Sequence, residues 1–157
     1  MTSPASIKGH PIHPMLIVFP IALWVFSLIS DLIYLARPEL RVWSDVAYYT
    51  MAGGLIGALL AAIPGLIDLM WIRDRVVKRV GVTHMIINLI VVALFAINLW
   101  LRSTSARNVT GLVILSAIGI VLMCLSGWLG GKMVYVHGVG VEPLAPEERR
   151  DMPRRAA

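Results

Sequence analysis

Residues 15–36 read MLIVFPIALWVFSLISDLIYLA, an apolar run interrupted by one proline, two serines and a single charge at Asp31. A helix rises ~1.5 Å per residue, so about 20 residues cross the hydrocarbon core of a bilayer, and this run is long enough to do so. Three more runs follow at 46–72, 80–101 and 109–131. Of all the charged residues, only Asp31 and Asp68 fall inside these four runs. The pattern predicts four membrane-spanning helices.

Composition leads to the same place. The chain has 157 residues, 58% of them hydrophobic and 15% charged, with a mean hydropathy of +0.79. A soluble globule is nearer ~45–50% apolar and ~25% charged, and a body this small buries too little surface to hide the excess. A soluble single-domain enzyme, a disordered chain and a secreted disulfide scaffold are thereby excluded. Cys124 is the only cysteine, so there is no internal disulfide and no multi-cysteine zinc or iron–sulfur centre.

The connections 37–45, 73–79 and 102–108 are short and charged, and short links join antiparallel neighbours. The expected fold is all-α: a four-helix transmembrane bundle, up-down-up-down. Residues 1–14 form a cytoplasmic N-terminal lead-in, 15–140 the helical domain, and the proline- and charge-rich stretch 141–157 a disordered cytoplasmic tail. The first run is too long for a signal-peptide core and no small-residue cleavage site follows it, so it is expected to persist as the first span. No internal repeat is evident.

Lys8, Arg73, Arg75, Lys78, Arg79 and Lys132 share a side with the tail arginines, against Arg37, Arg41, Arg102 and Arg107 opposite. The positive-inside rule then puts both termini in the cytoplasm. The net charge of +5 reflects basic residues flanking the spans, where they meet anionic headgroups. No aromatic–basic interleaving points to nucleic acid.

All four histidines belong to one membrane face: His10 and His13 before the first span, His84 one turn into the third, and His137 after the fourth. Asp68, near the end of the second run, approaches the same face. At 100° per residue His13 and Asp31 lie on one side of the first helix, with Pro20, Trp24 and Ser27 close to that line. Pro20 is a candidate kink. Asn88 and Asn98 flank His84 on the third helix, and Gly54, Gly57, Ala61, Pro64 and Gly65 offer a small-residue face beside Asp68. Asp31 is expected near the opposite interface, reaching headgroups or accepting a hydrogen bond there. In His10-Pro11-Ile12-His13-Pro14 the second proline suits a first helical turn, with His13 as the cap. Phosphate-loop, H-E-x-x-H and Ser-His-Asp patterns are absent, and no catalytic residue is assigned. Cys124 is expected to be buried and inert, and the methionines to fill core.

The strings Gly9-His10-Pro11-Ile12-His13-Pro14, Pro20, Asp31, Pro64-Gly65-Leu66-Ile67-Asp68, His84, Gly127-Trp128-Leu129-Gly130-Gly131 and Tyr135-Val136-His137-Gly138-Val139-Gly140-Val141 resemble the bacterial predicted-membrane-protein family designated domain of unknown function 2231. The likeness covers about residues 7–141. The resemblance implies a four-helix inner-membrane protein of unassigned biochemical role. Its relatives are sometimes joined to Rieske-type or cytochrome c-type modules, which implies redox company.

Three readings of the histidines stay open. In the first, one haem b takes axial imidazoles from His84 and from His13 or else His137, with His10 nearby, and exchanges electrons with a quinone or a redox protein. In the second, His10, His13, His84, His137 and Asp68 hold zinc or iron, with Asn88 behind His84. In the third, the chain is a cofactor-free assembly subunit, alone or as a homo-oligomer. A proton-coupled transporter built on Asp31 and Asp68 is a weaker fourth. Whether the protein is an enzyme is undecided by the sequence.

Overall fold

A computed structural model describes residues 3–104 and 109–141. The tail expected to be disordered lies, from residue 142 on, outside the described residues, as do residues 105–108 of the third expected connection. The chain opens on a hairpin of β1 (Ser6–Ile7) and β2 (His10–Pro11), followed by α1 (Ile12–Leu16), α2 (Val18–Ala36), α3 (Val42–Trp71), α4 (Arg75–Ser103) and α5 (Val109–Tyr135). Taking α1 and α2 as one span, four helices are long and apolar enough to cross a membrane. These transmembrane helices imply a lipid bilayer environment.

Helices α3 and α4 start four and five residues before their apolar runs and α5 ends four residues after its own, because a helix can continue into the headgroup region, where charge is tolerated. At the start of α4 the Asp74 side chain accepts hydrogen bonds from the N–H groups of Val76 and Val77 at 2.8 and 2.9 Å. These bonds satisfy two of the donors that a helix start leaves orphaned. Asp74 lies outside the spans, and the same two bonds hold its carboxyl below the usual aspartate range.

The lead-in differs from its expected form. Lys8 and Gly9 both take positive φ, at 49° and 80°, forming the tight turn that two-residue hairpins prefer. Ile12 N–H then bonds Ala5 O at 2.9 Å, so the helix begins at Ile12 with Pro11 at the cap. His13 therefore sits inside the first turn rather than capping it. The helix is interrupted at Ile17, because Pro20 has no N–H to give to Leu16 O. Backbone bonds from Ile17 to His13 O and from Ile21 to Ile17 O carry the chain through.

The bundle is arranged for lipid rather than water. Large apolar side chains such as Phe19, Ile56, Ile63, Leu89 and Val121 are exposed, while Ser27, Ser30, Asp31, Asn98, Ser116 and Ser126 are buried. Inside a membrane that is the economical arrangement, since apolar side chains lose nothing in lipid and polar ones need partners. Helix α2 packs along α3 and α4 along α5, while α3 with α4 and α2 with α5 form the narrower sides. This leaves α2 diagonal to α4. At the centre Trp24 stacks on Phe95 with ring centroids 4.2 Å apart and planes 8° from parallel, and Met51, Val91 and Met123 complete the core. Cys124 is exposed, not buried as expected, because its neighbours Met123 and Ser126 take the inward positions of α5.

Candidate functional site: a diagonal pair of histidines

His13 and His84 approach each other across the bundle diagonal, with ring centroids 6.4 Å apart and planes 85° from parallel. Each ring is fixed through Nδ1 by a backbone carbonyl of the neighbouring helix. His13 Nδ1 meets Ala61 O at 2.7 Å, and His84 Nδ1 meets Ser126 O at 2.8 Å with Ser126 Oγ at 2.9 Å. A carbonyl only accepts, so Nδ1 carries a proton in both rings, and in a neutral ring Nε2 is the electron-pair atom.

Glycines make this approach fit. A Cβ on Gly65 would lie 2.7 Å from His13 Nδ1, and one on Gly130 would lie 3.3 Å from His84 Cε1. The two Nε2 atoms differ. Asn88 Nδ2 donates to His84 Nε2 and to His84 O, both at 3.0 Å. His13 Nε2 has no such donor among the described residues.

The expected convergence of four imidazoles and Asp68 reduces to this pair. His10 is exposed on the hairpin, its Nδ1 3.0 Å from Lys8 O. His137 follows α5, and its buried Nε2 has no hydrogen-bond partner among the described residues. Asp68 Oδ1 instead accepts from Ser3 Oγ at 2.7 Å and Ala5 N–H at 3.3 Å, which ties the hairpin to α3. Among the described residues no three histidine, cysteine or acidic side chains are grouped to hold a metal ion.

At the other end of the diagonal Asp31 is buried, accepting hydrogen bonds rather than reaching headgroups. Arg102 grips it through Nη1–Oδ1 at 2.8 Å and Nη2–Oδ2 at 2.5 Å, with 9% and 1% of the two side chains accessible. Arg102 Nε also donates to Asn98 Oδ1 at 2.9 Å. Asn98 Nδ2 donates in turn to Leu112 O and Ser116 Oγ, both at 2.8 Å. The fork of the guanidinium matches the carboxylate, and every polar atom is answered. Sequence reasoning placed Arg102 in a loop. Its signal was the four-residue spacing from Asn98, which sets both on one helix face.

Neither a curated protein nor a solved structure matches the chain. The family model described as predicted membrane protein (DUF2231) matches residues 9–143, which takes in all four spans, the His13–His84 pair and the Asp31–Arg102 contact. The chain belongs to that family.

Proposed function

We propose that the protein is an electron-transfer subunit of the membrane that holds one haem b iron between His13 and His84. The observation that carries this reading is the His13–His84 pair. Its two imidazoles come from diagonal helices, with Nδ1 anchored on carbonyls, the outer bond by which ligand histidines are oriented. His13 and His84 would each supply one nitrogen to the iron, and their ring centres stand 6.4 Å apart.

Two imidazoles fill only half of a tetrahedral zinc shell, whereas a porphyrin brings four nitrogens of its own and asks the protein for two axial ligands. Haem therefore suits this donor set better than a bare ion. When bound it supplies one-electron transfer. What the chain does is hold the rings, keep their tautomers and yield His84 Nε2 by release of Asn88. All the histidines lie toward one end of the bundle, so the electron partner is a quinone or redox protein reaching that end.

Protein purified from haem-replete cells should show a Soret band that His13→Ala and His84→Ala each abolish, while His10→Ala and His137→Ala keep it. A wild-type sample without that band refutes the reading. One observation favours a second one: both nitrogens of His84 are already satisfied within the bundle. A cofactor-free assembly subunit would then lose melting temperature on His84→Ala, with no absorbing cofactor in any sample.

A further inference from the structure

We infer that the bundle is a tandem pair of equivalent helical hairpins, α1–α2–α3 and α4–α5, docked about a twofold axis, and that Asp31 with Arg102 is the interface contact that fixes how one docks on the other. The ion pair joins residues 71 apart in sequence. The same shift carries His13 to His84 and Trp24 to Phe95, the two other contacts along that diagonal. Three rungs at one shift, in the same order, mean that α2 and α4 run the same way.

The shift also carries burial. Pro20, Trp24 and Ser27 are buried in α2, and Val91, Phe95 and Asn98 are their counterparts in α4. Between α3 and α5 a shift of 65 does the same: buried Ala47, Met51, Gly54 and Ala61 map onto buried Leu112, Ser116, Gly119 and Ser126. The link between the two helices is simply six residues shorter in the second hairpin (71 against 65).

Contacts inside each hairpin obey both shifts at once. His13 bonds Ala61 O and His84 bonds Ser126 O. Ser27 Oγ bonds Ala47 O at 2.8 Å, and Asn98 Nδ2 bonds Leu112 O at 2.8 Å. The place of a Cβ on Gly54 is taken by the Trp24 ring, and that on Gly119 by the Phe95 ring. Gly65 and Gly130 stand beside the two histidines in the same way. Identical residues at counterpart positions include Leu23 with Leu94 and Gly54 with Gly119. They are too few to stand out as a repeat until the shifts are known.

A twofold axis brings counterpart residues face to face, so identical charges at the outer rung would repel in lipid. Asp at one counterpart and Arg at the other turn that position from a repulsion into a complementary contact.

Exchange of counterpart residues in the full-length protein tests this, read as monodisperse yield and melting temperature in detergent. Asp31→Arg alone should cut folded yield at least ~10-fold, since it places two guanidinium groups together in the core. Moving the whole polar group across the axis, as Asp31→Arg, Arg102→Asp, Ser27→Asn and Asn98→Ser together, should restore the yield to within about twofold, because an asparagine in place of Ser27 would meet Ala47 O as Asn98 meets Leu112 O. Yield no better than that of Asp31→Arg overturns the equivalence wherever the charged variants accumulate enough to be measured. If they do not, the uncharged exchange Trp24→Phe with Phe95→Trp decides. A melting temperature above that of Phe95→Trp alone supports the paired hairpins, and one no higher overturns them.

Discussion

Asp31 pairs its charge inside the bundle, and the worth of that arrangement is asymmetric. Burying an ion pair in low dielectric costs nearly what the attraction returns, but removing one partner strands the other at a cost of ~3–5 kcal/mol. Asp31→Leu and Arg102→Met should therefore each lower the melting temperature in detergent sharply. The double variant should melt above both singles, as a double-mutant cycle would record. Asn88 offers a second residue-level prediction that rests on the haem reading. It occupies the nitrogen of His84 that an iron would need, so Asn88→Leu should leave the Soret absorbance undiminished while His84→Ala removes it.

Among the helices, close approach depends on the absence of a methyl group. A Cβ on Gly54 would lie 2.5 Å from the Trp24 indole, whereas Gly127 has nothing within 4 Å. Gly54→Ala should cost ~1–3 kcal/mol through overpacking, and Gly127→Ala should leave the thermal melt unchanged. The Asp74 cap gives α4 a pH dependence. Its carboxyl is held below the ordinary value by the backbone N–H bonds of Val77 and Val76. The cap's contribution is then complete above the unfolded pKa near ~4 and is lost as pH falls through the lowered folded value. Asp74→Asn caps without titrating, so acid melting curves of the two proteins should converge as the pH drops.

The spans were legible in the sequence because hydropathy is a local property, and the inward line of His13, Trp24, Ser27 and Asp31 followed from helical angle alone. Arg102 was not, because a cation at the end of an apolar run looks like a flank until its carboxylate partner on another helix is known. The hairpin of Ser6–Pro11 was hidden for a related reason: its strands are two residues long, and the segment before it is held by Asp68 on α3. Of the candidate site, His13 was already the first choice as partner of His84; the diagonal that sets their ring centres 6.4 Å apart depends on which helices pack together and was not legible.

For the molecule as a whole, the ion pair changes how orientation should be reckoned. The positive-inside rule counts lysines and arginines near the span ends, and carboxylates weigh little in it. Arg102 is drawn into the bundle by Asp31 and withdrawn from its flank, whereas Arg37, paired with Glu39 at the surface, still counts. On the other side Arg73, Arg75, Lys78 and Arg79 crowd one short connection, so the imbalance is wider than the bare tally. Both termini should lie in the cytoplasm. A fluorescent protein fused to the C-terminus should then fluoresce, and alkaline phosphatase fused there should stay inactive; the opposite pair of results reverses the assignment. Replacing the four cations of that connection with glutamine should produce a mixed population in the same assay. Replacing Arg102 should not alter the orientation but should lower the yield, because that residue acts on folding inside the bilayer rather than on the sidedness of insertion.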